Sequence, residues 1–167
     1  MDIHHFNTLD KEELHLQLLR CCGSSAWVNK MEKAIPADDL VDLMEDAEEC
    51  WYACSAEDWL EAFRQHPEIG DINSLEEKFA GTSAWAEGEQ AEVSRATRAV
   101  MEKLDEANDH YKEKFGFIFI VCATGKSAEE ILEMMAHRLH NNYDEELKIA
   151  ADEQLKITQL RLEKLLS

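Results

Sequence analysis

Residues 64–71 read RQHPEIGD, and His66 sits directly before one of only two prolines in the chain. Imidazole exchanges protons near neutral pH, so a histidine fixed by a turn can act as a general acid or base. Glu89-Gln90 is the second feature of this kind. A carboxylate there can orient an imidazole and raise its pKa, and a carboxamide can read a polar ligand. A histidine before proline is more often a turn residue than a catalyst. These residues alone support a candidate acid–base site and no more.

Other constellations carry less. Gly125-Lys126-Ser127 looks like the end of a phosphate loop, but Ile120 stands where that motif needs its first glycine. Glu133, His137 and His140 fall within two turns of one helix, with Arg138 among them, and read as a solvated face rather than a metal site. Five cysteines (Cys21, Cys22, Cys50, Cys54 and Cys122) make an odd count without a CxxC pair. Cys50 and Cys54 would share a helix face. Reduced thiols in a cytoplasmic protein, and no metal, are the expectation.

The elements that must position these groups read as a succession of helices. Residues 8 to 21, with Leu9, Leu14, Leu18 and Leu19, predict a helix that begins after Asn7-Thr8 and is stopped by Gly23. Ser24-Ser25 predicts a short helix through Met31, and Pro36 the first turn of another that ends near Cys54. Ser55 and Asp58 predict a capped helix over 56–65, with Trp59, Leu60 and Phe63 inward. It ends at His66, because the residue before proline is pushed away from helical torsions. Ser74 and Glu77 predict a further short helix closed by Gly81.

From Trp85 to about Lys114, Val93, Thr97, Val100, Leu104, Asn108, Tyr111 and Phe115 recur at helical spacing and predict one long amphipathic helix. Ser127 predicts the cap of a helix to about His140. Asp144 starts a last one with Leu147, Ala151, Leu155, Thr158, Leu162 and Leu165 inward. Between them FGFIFIVCATG, 115 to 125, is apolar and β-branched and predicts a buried extended segment near 116–123. With no second strand to pair with, its backbone groups need helix ends, side chains or a ligand, which makes it a candidate binding platform. The expected fold is all-α: a single compact domain, 1–167, of about seven or eight helices.

Composition bounds the partners. The formal charge of −19 disfavours nucleic acid. An anionic substrate would have to be held by local cations, whose attraction survives because the overall field is screened beyond about 8 Å at physiological salt. No apolar run approaches the roughly 20 residues of a membrane span, and the acidic start lacks an apolar signal core. A cytoplasmic protein without membrane contact is expected.

HPEIGD (66–71), WAEGEQA (85–91), FGFIFIVCATGKSAEEIL (115–132), RLHN (138–141) and KITQLRLEKLL (156–166) occur in an order and spacing that resembles the 2-oxo-4-hydroxy-4-carboxy-5-ureidoimidazoline (OHCU) decarboxylases. The opening residues are similar to that family too, so the resemblance covers nearly the whole chain. It implies an all-helical homodimer that converts a small anionic substrate to (S)-allantoin, the third step from urate, without a cofactor. It implies His66 and its partner Glu89 as catalytic residues. For substrate binding it implies Pro67, Ala86, Glu87, Gln90, the segment Ile120, Val121, Cys122 and Ala123, and Arg161. Ala86 stands where many relatives have serine, and Thr124 where many have arginine. A different cofactor-free lyase or hydrolase acting on a related ureido or imidazoline compound is the alternative; an interaction module without activity would be expected to lose His66 or Glu89.

Overall fold

The computed structural model describes residues 1–66 and 87–167, leaving aside the side chains of 87–97. Among the described residues there are eight helices and no strand. They are α1 (Ile3–Asn7), α2 (Lys11–Cys21), α3 (Ser25–Ala34), α4 (Leu40–Tyr52), α5 (Ala56–Arg64), α6 (Glu87–Phe115), α7 (Ala128–Arg138) and α8 (Tyr143–Leu165). The all-α reading holds.

Local chemistry explains most of the starts. Asp2, Asp10, Ser24, Asp39, Ser55 and Ser127 each accept a first-turn backbone N–H at the heads of α1 to α5 and α7. Ser55 and Asp58 form the reciprocal box that their spacing predicts. Asn142 and Glu145 form a second such exchange, with Glu145 N–H on Asn142 Oδ1 at 2.9 Å, so α8 opens at Tyr143 rather than Asp144. Four boundaries differ further. Thr8 closes the short α1 and does not open α2, whose cap is Asp10. Pro36 follows a cis peptide outside any helix, and α4 begins four residues later behind Asp39. α3 runs past Met31 to Ala34, and α7 stops at Arg138. The helix expected between Ser74 and Gly81 lies outside the described residues.

Contacts gather into two compact units. The first comprises Met1–His66, Ile120–Cys122 and Leu147–Ser167. In it α3 packs against α2, α4 and α5. Phe6, Leu18, Trp27, Met31, Leu43, Trp51, Phe63 and Leu162 are buried at its core. The two buried indoles keep their N–H groups bonded: Trp27 donates to Ala47 O at 3.1 Å and Trp51 to Ala151 O at 2.9 Å. Leaving either unpaired would cost about 1–3 kcal/mol. Trp59 and Leu60, expected inside, are half-buried, and the Trp59 indole caps the end of α4 through Trp51 O at 3.0 Å.

The second unit comprises Pro67–Phe119 and Ala123–Glu146. There α6 packs on α7. Leu104, Tyr111, Phe115, Phe117, Phe119, Ile131 and Met135 are buried. Tyr111 meets Phe119 edge-on with centroids 5.2 Å apart, a favoured aromatic geometry. Its hydroxyl donates to the fully buried Glu146 at 2.6 Å, and Arg138 Nε reaches the same oxygen at 2.6 Å. Burial first, and then this acceptor, push the Tyr111 phenol far above its ordinary value. Arg138 is thus a structural cation, while Glu133, His137 and His140 of the same region are exposed.

Candidate functional site

His66 enters at the end of α5. Gln65 is the C-cap, and His66 N–H bonds to Phe63 O at 3.2 Å in the last tight turn. The ring is half-buried, and its Nε2 is hydrogen-bonded to Oε1 of Gln154, a fully buried residue on α8. Gln154 in turn donates from its amide nitrogen to Thr158 Oγ1 at 3.0 Å. Burial pushes the His66 pKa below the ordinary imidazole value, the Gln154 bond works against that, and the Arg161 guanidinium adds to the lowering. Among the described residues the balance therefore favours the neutral ring.

Arg161 lies seven residues beyond Gln154 on α8. Its Nη1 donates to Cys21 O at 3.3 Å and Arg20 O at 3.5 Å, the carbonyl end of α2, where the helix dipole favours a cation. Among the described residues it makes no ion pair. His66 and Arg161 line one cavity of about 420 Å³, together with Arg20, Gly23, Glu61 and Gln65. Glu61 is engaged at the head of α3, accepting Ser25 N–H at 2.5 Å and Ser25 Oγ–H at 3.1 Å.

Gly23 lies against Gln65 in the cavity lining. A Cβ there would stand 2.4 Å from Gln65 Cγ and 2.7 Å from Gln65 Cβ. The α2 helix already ends at Cys22, in extended conformation, so Gly23 serves close approach rather than the stop its sequence position predicts.

The segment after α6 belongs to no helix, and Phe117, Phe119, Ile120, Val121 and Cys122 in it are buried, as expected. In the first unit Cys122 N–H points at the buried Glu153 carboxylate, 3.4 Å away, and Glu153 pairs with Lys156 at 2.6 Å. In the second, Ala123 is half-buried and its carbonyl accepts Lys126 N–H at 3.1 Å. All five thiols are free. Burial raises Cys21 to about 11 and Cys22 to about 12. Cys54 lies past the end of α4, its Sγ donating back to Cys50 O at 3.2 Å.

Of the residues singled out in the sequence as site candidates, His66 and Arg161 are therefore brought together; Gln154 joins them unannounced, and Thr158 and Gly23, read only as a core position and a helix stop, join them too. Pro67 and Ala86, and the side chains of Glu87, Glu89 and Gln90, lie outside the described residues. One weak signal could have found Gln154 and Thr158: with Arg161 they recur at spacings of four and three, which puts three polar side chains on one face of a helix.

Residues 7–163 match the family model described as OHCU decarboxylase. The uric acid degradation bifunctional protein TTL of Arabidopsis thaliana is 40% identical over 151 residues, covering 88% of this chain and 45% of that protein. The uric acid degradation bifunctional protein of Bacillus sp. (strain TB-90) is 30% identical over 172 residues, covering 99% of this chain and 32% of that one. The chain thus spans less than half the length of either. A crystal structure of OHCU decarboxylase in the presence of (S)-allantoin superposes with a TM-score of 0.72 at 39% identity, over 89% of this chain and 95% of that one.

Proposed function

Since the chain belongs to the OHCU decarboxylase family, we propose that it decarboxylates 2-oxo-4-hydroxy-4-carboxy-5-ureidoimidazoline to (S)-allantoin in urate degradation. The observation that carries this reading is the shared cavity of His66 and Arg161, an imidazole whose pKa burial lowers beside a guanidinium that has no ion pair among the described residues. The substrate's carboxylate meets Arg161, whose planar fork suits it. When the C–CO2 bond breaks, the electron pair enters the ring toward its imine nitrogen. The enol so formed regains a proton at the carbon that bears the ureido group, and its hydroxyl becomes the carbonyl of the product. The ring itself accepts the electrons, so the protein's task is to orient the carboxylate, exclude water and deliver one proton to one face.

His66 is the proton carrier in this scheme. Glu89 is the carboxylate that favours its protonated form, and Pro67 fixes the turn. Ala86, Glu87, Gln90 and the 120–123 backbone complete the substrate's surroundings. The reading takes 1–167 as one family domain, working as a cytoplasmic homodimer on a small anionic molecule without a cofactor. That no helix among the described residues is long and apolar enough to cross a membrane agrees with such a setting.

Circular dichroism of allantoin formed from freshly generated substrate tests the assignment. Uncatalysed decay admits a proton from either face and gives racemate, whereas each 1.4 kcal/mol of facial preference gives about a tenfold enantiomeric ratio. The wild-type protein should yield (S)-allantoin faster than the uncatalysed reaction. His66→Asn should lower turnover by about two to four orders of magnitude. Racemate at the uncatalysed rate from the wild-type protein overturns the reading.

A further inference from the structure

We infer that Gln154 and Thr158 hold His66 as its Nε2–H tautomer, which makes Nδ1 the ring atom that exchanges the proton. With the Gln154 amide oriented as the structure has it, the hydrogen bonds form one self-consistent chain. Thr158 has a single hydroxyl proton and donates it to the main-chain carbonyl of Gln154, one turn back, at 3.0 Å. Its oxygen is then an acceptor and takes the amide N–H of Gln154 at 3.0 Å. The amide nitrogen therefore faces Thr158, and the amide oxygen faces the imidazole.

A carboxamide oxygen carries no proton, so the ring nitrogen against it must donate. Gln154 is fully buried and Thr158 nearly so, which denies water the chance to substitute for either. A neutral imidazole has one N–H, and it is now committed to Nε2. Among the described residues Nδ1 has no hydrogen-bond partner. Gln154 and Thr158 are positioning residues. They act through His66 and stand behind it, as the orienting group of a catalytic base does.

What Nδ1 acts on rests on the decarboxylase reading; the tautomer is a property of the free protein. Long-range 1H–15N correlation spectra of ¹⁵N-histidine-labelled protein, at a pH where His66 is neutral, read it directly. The wild-type ring should show a protonated Nε2 and a pyridine-like Nδ1. In Gln154→Met and Thr158→Val the two shifts should move toward averaged values. In both variants kcat should fall on the order of tenfold, the effect of one lost hydrogen bond, with KM near that of the wild type. Thr158→Val is nearly isosteric and decides the matter if Gln154→Met does not fold. A pyridine-like Nε2 in the wild type, or wild-type shifts and kcat in the variants, overturns the inference. Wild-type protein that shows the tautomer but does not decarboxylate overturns the enzymatic reading and leaves the tautomer standing.

Discussion

Gly23→Ala should lower activity about tenfold or more at a modest cost in stability. The new Cβ would stand 2.7 Å from Gln65 Cβ, where ordinary contact begins at 3.4 Å, so about 0.7 Å must give. Gln65 Cγ, at 2.4 Å, can swing away by a change of rotamer. Its Cβ cannot, because it is fixed to the backbone at the end of α5. The displacement therefore passes to the next residue, His66. Overpacking typically costs about 1–3 kcal/mol, and the half-exposed position argues for the lower end. Misplacing a catalytic group by about 1 Å can cost on the order of a hundredfold in rate, so a shift of this size should remove roughly ten- to a hundredfold from kcat/KM. Steady-state kinetics beside thermal melts would separate the two effects. Gln65→Gly removes the opposing Cβ, and the pair Gly23→Ala/Gln65→Gly should regain most of the lost rate, a coupling that independent sites do not show. Activity of Gly23→Ala within twofold of wild type, or a double variant no better than the single one, would refute the reasoning.

Three further outcomes are expected. Arg161→Lys keeps the charge but loses the planar fork on both the substrate and the α2 carbonyls, and should raise KM several-fold; unchanged kinetics would assign Arg161 to α2 alone. His66 has a folded pKa below its ordinary 6.5, so the stability it contributes is complete above pH 6.5 and is lost as pH falls through the folded value. Arg161→Gln removes one cause of the lowering, and an NMR titration should then find the His66 midpoint higher than in wild type; a lower one would reverse the electrostatic argument. Thiol titration should find five groups in denatured, unreduced protein. In the native state Cys21 and Cys22 should react slowly, because burial holds them to about 11 and 12; fast native labelling of Cys22 would contradict its burial.

The parts of this molecule legible in the sequence are those written in neighbouring residues. Ser55 and Asp58 announce α5, the His66-Pro67 step announces its end, and the 3.6-residue rhythm through Leu104, Tyr111 and Phe115 announces α6. α1 escaped because its five residues offer one buried side chain, Phe6, and no period can be read from one. Pro36 misled because a proline at a first helical turn and a proline ahead of a capping aspartate look alike in a string of letters. The partner of His66 escaped for a different reason. Gln154 lies 88 residues away, and nothing local says that a glutamine in a polar stretch will be drawn into the core. Family resemblance supplied Arg161, which periodicity alone would have left on a solvent-facing surface. It is in fact half-buried on two main-chain carbonyls.

The helix α8 also restricts how chains of this kind can change in length. Gln154 and Arg161 stand seven residues apart, about two turns and roughly 10 Å along one rigid rod. A single inserted or deleted residue between them would turn one by about 100° relative to the other and carry the guanidinium away from the cavity that the imidazole lines. Substitutions between 155 and 160 can accumulate on the outer face, but a change in their number breaks the site at once. Loops forgive gain and loss of residues because their ends can be rejoined at little cost; this stretch behaves as a ruler, and its length is as much a determinant of the chemistry as any side chain on it.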